Sequence, residues 1–260
     1  MTPGDRTETS SVREVESLSV FFPCFNDQGT IASMVVKTEV VIERLGIDTY
    51  EIIVVDDGSS DESVAILRRL ARDRPWLRIV EHGSNRGYGA ALRSGFAACR
   101  YDWIFYTDGD FQYDVADLER LVEAASPDVD WVQGFKVSRH DPLHRRIIGR
   151  IYHHFVAAVF GIRVRDTDCD FRLIRRSLLD KVELHHDSGV ICVEMMRKFQ
   201  DAGGRVREVP VNHYFRAYGR SQFFNFRRLW RTGVGLLSLW LELVGRPRFA
   251  LRRPSRSKKG

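Results

Sequence analysis

Two aspartates one residue apart, Asp108 and Asp110, stand in the segment TDGDFQYD with Gln112 two residues on, directly after the apolar run WIFY (103–106). Two carboxylates at a strand end can face a single hard cation, and an amide oxygen suits the same oxygen-rich shell. The expected ion is Mg2+ or Mn2+, which would bridge a nucleotide diphosphate and neutralise the charge of its departure. Asp-Gly pairs are also common turn formers, so the pattern gains weight only from its companions. In NRGYGAAL (85–92), Gly87 and Gly89 let backbone approach a ligand, while Arg86 and a helix N-terminus favour an anion. No G-K-[ST] follows, so this is not a Walker loop; the plainer reading is a glycine-rich helix cap. Asp166, Asp168 and Asp170 alternate and would face one way on an extended segment, holding a donor sugar or supplying a base. Glu194, within VICVEMM, reads as a partly buried, Arg-paired structural residue. The eight histidines show no metal-binding spacing.

The elements that must position these groups alternate between strand and helix. LSVFF (18–22), EIIVV (51–55), LRIV (77–80), WIFY (103–106) and DWVQG (130–134) read as strands, with helical patterns between them. Ser60 or Asp61 is the expected cap of the helix SVAILRRLARD. Such alternation indicates a parallel, doubly wound α/β sheet, Rossmann-like and flanked by helices. Ligands of such sheets sit beyond the carboxyl ends of the strands. PCFND (23–27), DDGSSD (56–61), NRGYG and DGDFQ all follow strands. A helix over about 142–160, the segment DTDCDFRLIRR, another helix and a strand RVREVP complete the expected body.

The division expected is an N-terminal tail (1–16), a catalytic domain (17–215) and a basic amphipathic helical C-terminus (216–260). From Arg216 onward twelve Lys and Arg face one acid, Glu242, a net +11 within a chain of net +5. That asymmetry suits an acidic partner such as anionic lipid, and nucleic acid is not expected. Residues 221–245 mix Phe, Trp and Leu with Arg, as an interfacial helix does; packing on the body or on a second copy, giving a homo-oligomer, is the alternative. No run reaches the ~20 apolar residues of a membrane span, and the polar N-terminus lacks a signal-peptide core. A cytoplasmic location is therefore expected, peripheral on the inner face of the membrane if the tail binds lipid. Four dispersed cysteines read as reduced thiols.

PCFND, VVDDGSSD, NRGYGAAL and TDGDFQYD together resemble glycosyltransferase family 2, which has the GT-A fold, over about Leu18 to Ser221. Within it the chain is most similar to dolichol-phosphate mannose synthases and related polyprenyl-phosphate sugar transferases. QGFKVSR (133–139), DTDCDFR (166–172) and RAYGRSQ (216–222) match three further motifs of that group, although Cys169-Asp170 and Gln222 depart from it. The resemblance implies that Pro23, Phe25, Asp27 and Asp57, with Asp56 beside them, hold the nucleoside. Asp108, Gly109, Asp110 and Gln112 would hold metal and diphosphate, with Arg86, Gly87, Arg216 and Ser221 also on the donor side. Arg139, Arg172 and Arg216 are the phosphate clamps it implies, and Asp110, Asp168 and Asp170 the acidic catalytic residues.

The function expected is transfer of a sugar from a nucleotide-diphosphate sugar to a polyprenyl phosphate, metal-assisted and with inversion. A phosphate acceptor is ionised at pH 7 and needs no general base. A hydroxyl acceptor on a soluble molecule would need one, for which Asp168 or Asp170 is the candidate. A nucleotidyltransferase is the remote alternative, disfavoured because no G-x-G-T-R-type loop follows the first strand.

Overall fold

Apolar side chains alternate along the strands between two separate cores, and this alternation requires helices on both faces of one sheet. A computed structural model describes residues 14–139, 143–214 and 226–245. Its strands are β1 (Ser17–Cys24), β2 (Thr49–Asp56), β3 (Leu77–Glu81), β4 (Trp103–Thr107), β5 (Trp131–Arg139), β6 (Phe171–Arg175) and β7 (Val206–His213). They lie in the order β3-β2-β1-β4-β6-β5-β7. β6 runs antiparallel to both neighbours, β4 and β5, and the remaining pairs are parallel. The mostly parallel α/β sheet is as expected; β6, hidden in the Asp-rich segment, is the strand that pattern reading did not separate.

The helices are α1 (Ile31–Arg44), α2 (Ser63–Leu70), α3 (Tyr88–Ala98), α4 (Leu118–Ala124), α5 (Leu143–Phe160), α6 (Arg176–Leu179), α7 (Val190–Asp201) and α8 (Phe226–Trp240). Val20, Phe22, Ile52, Val54 and Phe105 face one core with Met34 and Val35 of α1, Leu67 of α2 and Leu118 of α4. Phe21, Ile53, Val55, Ile104 and Tyr106 face the other, with residues of α3, α5, α7 and α8. Each such side chain, fully buried, contributes about 1.5–3 kcal/mol. α3 lies close to the sheet because Gly95 faces the ring of Phe21, where a Cβ would collide. Phe21 in turn stacks on Tyr106, with centroids 5.3 Å apart.

Neither expected residue caps α2: its N-cap is Glu62, without a side-chain cap bond, and Asp61 stands one residue earlier with Oδ1 accepting from Ser63 N at 3.0 Å. Ser60 is diverted instead, its backbone N donating to Asn26 Oδ1 at 2.8 Å. α8 carries apolar residues on both its buried and its exposed sides. Leu236 and Leu239 join the core around α7, whereas Trp230, Val234, Leu237 and Leu241 beyond its end are exposed. α5 carries a similar exposed row, Ile147, Ile148, Ile151 and Phe155.

Candidate active site

Three strand ends converge at one edge of the sheet. The loops after β1 and β2 are laced together: Asn26 N donates to Ser59 Oγ (2.9 Å), Asp27 N to Ser63 Oγ (3.1 Å) and Gln28 N to Asp61 Oδ2 (3.1 Å). The loop after β4 then closes on them. Thr30 Oγ1 donates to Gly109 O at 3.0 Å, and a Cβ on Gly109 would stand 2.8 Å from Pro23 O. Gly109 is therefore a close-approach residue between Pro23–Asp27 and the Asp108–Asp110 loop. Phe111 adopts φ 63°, an unfavourable backbone for a bulky side chain of the kind that clusters at functional sites. Phe25 is 39% exposed at the rim, a flat apolar surface beside these carboxylates.

Asp108 is where charge accumulates. Burial, then the negative charges of Asp170 and Asp110, push its carboxyl well above the ordinary range; Asp27 adds to this, while the hydrogen bond from Tyr88 opposes it. A carboxylate set that repels itself in this way suits a divalent cation. Among the described residues no three His, Cys, Asp or Glu side chains form a closed metal cage. Mg2+ and similar ions are held by one or two carboxylates and take their other ligands from phosphate and water. Gln112 is anchored at the end of β7, its Nε2 donating to Tyr214 O at 3.3 Å and its backbone O accepting from Tyr214 N at 2.7 Å.

Several expected roles change on inspection. Asp56 is 2% exposed, and its Oδ2 accepts from Gly58 N and Ser59 N, both at 3.1 Å, so it builds the turn. Asp57 is engaged by Arg86 N (2.9 Å), Gly87 N (2.9 Å) and His82 Nδ1 (2.7 Å). Gly87 and Gly89 make their close approach to protein, not to open space for a ligand. A Cβ on Gly87 would meet Asp187 O at 2.5 Å, one on Gly89 would meet His186 O, and Gly89 N donates to Asp187 O at 2.8 Å. The Arg86 side chain lines a crevice of about 420 Å³ beside α3 with Arg93, Ser94 and Asp187.

Arg172 is not placed to clamp a substrate phosphate. It is fully buried on β6, with Nε donating to Gln133 Oε1 (2.7 Å) and Nη1 to Tyr106 Oη and to Asp170 Oδ1 (2.7 Å). Its guanidinium is engaged by Gln133, Tyr106 and Asp170. Nor are the three alternating aspartates on one extended strand, because the chain turns at 167–168 and β6 begins only at Phe171. Asp166 is 3% exposed and accepts from Asp168 N. The Asp168 side chain is 44% exposed and pairs with Lys136 Nζ at 3.5 Å. Arg139 closes β5 opposite His213, whereas Arg216 and Ser221 lie outside the described residues.

Glu194 is structural, as expected, but its partner is a lysine. Lys198 Nζ donates to it at 2.6 Å, His185 N at 3.0 Å and His186 N at 3.1 Å, and the His186 ring Nδ1 stands 3.0 Å from its Oε2. It thereby holds the 185–187 segment against α3. Pattern reading missed this clamp and also His82, Tyr88 and Lys136. Tyr88 carried a usable signal, since it stands between the two glycines of NRGYG.

The sheet order with its reversed β6, and the Asp-x-Asp loop beyond β4, define a GT-A fold. Solved structures of the Mycobacterium tuberculosis glucosyl-3-phosphoglycerate synthase share it. The complex with Mn2+, uridine diphosphate and phosphoglyceric acid matches with a TM-score of 0.67 at 18% identity, over 86% of this chain and 78% of that one. Another structure of the M. tuberculosis enzyme gives 0.67 at 19% identity, over 88% and 81%. Residues 19–183 match the profile of Glycosyl transferase family 2, and the chain belongs to that family. Among its relatives is the undecaprenyl-phosphate 4-deoxy-4-formamido-L-arabinose transferase of Edwardsiella ictaluri, 32% identical over 217 residues. The Enterobacter sp. protein of the same name is 31% identical over 222 residues. The chain spans 65% and 66% of the length of these two relatives, which cover 82% and 85% of it.

Proposed function

We propose that this chain transfers a sugar from a nucleotide-diphosphate sugar to a polyprenyl phosphate, with inversion at the anomeric carbon. The observation that carries the reading is the pairing of two surfaces in one molecule. Crowded carboxylates, Asp108 with Asp110, Asp170 and Asp27, lie beyond the ends of β1 and β4, and two helices, α5 and α8, bear exposed apolar rows. The two relatives named for transfer to undecaprenyl phosphate support the acceptor class.

In this reading the loop Pro23–Asp27 forms the nucleoside side of the donor site, with Asp57 fixing the 86–87 backbone beside it, and Asp108, Asp110 and Gln112 would hold Mg2+ or Mn2+. The bound ion supplies charge neutralisation at the leaving diphosphate. Arg139, at the end of β5, would supply acceptor-side charge, while Lys136 is tied to Asp168. A phosphate acceptor carries its own nucleophilic oxygen, so Asp170 serves by position and charge. Transfer to a soluble hydroxyl is the second reading, favoured by the half-exposed Asp168, which would act as its base.

No helix among the described residues is long and apolar enough to cross a membrane. Contact with a bilayer would therefore run through exposed faces such as those of α5 and α8, aided by the basic C-terminus. Each Lys or Arg near an anionic surface contributes about 1 kcal/mol, screened by salt. The test is vesicle flotation with extraction of the radiolabelled product from a panel of UDP, GDP, CDP and dTDP sugars. Salt-sensitive binding to anionic vesicles and an organic-phase product support the lipid acceptor. An unbound protein with a water-soluble product transfers the role to the hydroxyl acceptor.

A further inference from the structure

Where the β3–α3 loop enters α3, three consecutive residues touch both ends of the donor site. At one end, Asp57 accepts from the backbone N of Arg86 and of Gly87, each at 2.9 Å. At the other, the next residue, Tyr88, donates its hydroxyl to Asp108 Oδ1 at 2.8 Å. Behind Asp57 stands His82, 8% exposed, with Nδ1 2.7 Å from Asp57 Oδ1 and Nε2 2.8 Å from Ser94 Oγ on α3. A carboxylate only accepts, so Nδ1 carries a hydrogen, and in the neutral ring Nε2 accepts from the Ser94 hydroxyl. Ser94–His82–Asp57 repeats the connectivity of a hydrolytic triad. Ser94, however, sits inside helix α3, and Asp57 also holds two loop amides. The chain of bonds is suited to holding a position.

We propose that Tyr88 is a positioning residue for Asp108, and that His82, through Asp57 and the 86–87 backbone, sets where Tyr88 stands. The proposal deepens the donor-site reading above and rests on it. By holding Oδ1, the Tyr88 hydroxyl fixes the carboxylate rotamer and leaves Oδ2 for a cation or a diphosphate-bound water. Fixing Asp57 fixes the loop, so the nucleoside side and the diphosphate side of the site keep a constant separation. The bulk of Tyr88 packs beside the core around Phe96, so removal of its oxygen alone leaves the fold in place.

The experiment measures Mn2+ binding by electron paramagnetic resonance of the free ion, in the presence of UDP, GDP, CDP or dTDP, whichever most raises the melting temperature of the parent protein. Tyr88→Phe deletes one hydrogen bond to a charged group and is expected to weaken Mn2+ binding about tenfold or more, with melting temperature unchanged. His82→Ala is expected to weaken it in the same direction. His82→Asn restores a donor on the atom bonded to Cγ, where Nδ1 was, and is expected to recover most of the loss. A merely structural His82 would show no such recovery. Tyr88→Phe within about twofold of the parent, or equal behaviour of the two His82 variants, overturns the proposal. If no nucleotide supports Mn2+ binding to the parent itself, the donor-site reading fails, which is a distinguishable result.

Discussion

Arg172 Nη1 lies 2.7 Å from Asp170 Oδ1 at the floor of the site, and the arginine side chain has no exposed surface. A buried ion pair adds little net stability while intact, but removing one partner strands the other charge at a cost of about 3–5 kcal/mol. Arg172→Ala is therefore expected to destabilise the protein by about that amount, seen as a lower urea midpoint. A midpoint equal to that of the parent would show that Asp170 finds solvent without Arg172.

Asp108→Ala and Asp110→Ala should each abolish transfer while the melting temperature in metal-free buffer holds or rises. The rise is expected because Asp108 is crowded by Asp170 and Asp110, and removal of one carboxylate relieves that repulsion. Near-normal turnover of both variants in excess Mn2+ would exclude these residues as the cation site.

Gly89→Ala places a Cβ against His186 O, a backbone atom that cannot rotate away. The expected outcome is separation of the 185–187 segment from α3, with a loss of about 1–3 kcal/mol as in other overpacked sites. Hydrogen exchange at Gly89 N and at the amides of 185–187 should accelerate together. Unchanged protection would mean that the two segments shift as one body.

How much of this was legible beforehand depends on the length scale of each signal. Near-continuous apolar runs such as EIIVV mark buried parallel strands whatever their neighbours, so β1 to β4 and the strand-end loops were readable. β6 was not, because the apolar positions of FRLIR are set among charged residues on both sides, and its partners Tyr106 and Gln133 lie far away in sequence. Arg172 read as a ligand-facing cation because DTDCDFR matches a motif of the family; its burial and its bonds to Gln133, Tyr106 and Asp170 show that it points into protein. Glycines gave the right fact with the wrong partner. Gly87 and Gly89 do permit close approach, but to 186–187, a contact with no local trace in the sequence.

Glu194 gives the chain a defined acid limb. Burial pushes its carboxyl up, but the hydrogen bonds from Lys198, His186 N and His185 N outweigh this and hold it below the ordinary value of 4.5. A depressed folded value means that the stabilisation is complete above the unfolded value and is lost as pH falls through the folded one. Glu194→Gln should thus be less stable than the parent at pH 7, and the gap should close below about pH 4.5. Chemical denaturation at several pH values measures it; a constant gap would assign the effect to packing.

All four cysteines are free and buried. Burial pushes the thiols of Cys24, Cys99 and Cys169 up to about 12, and that of Cys192 well above its usual value. Since thiolate is the reactive form, alkylating reagents at neutral pH meet four silent groups in the closed molecule. Each becomes a clock for the opening of its own region: Cys24 at the end of β1, Cys99 at the end of α3, Cys169 before β6 and Cys192 on α7. Mass spectrometry of labelled peptides would then rank those regions by how often they open, with no residue added to the native chain.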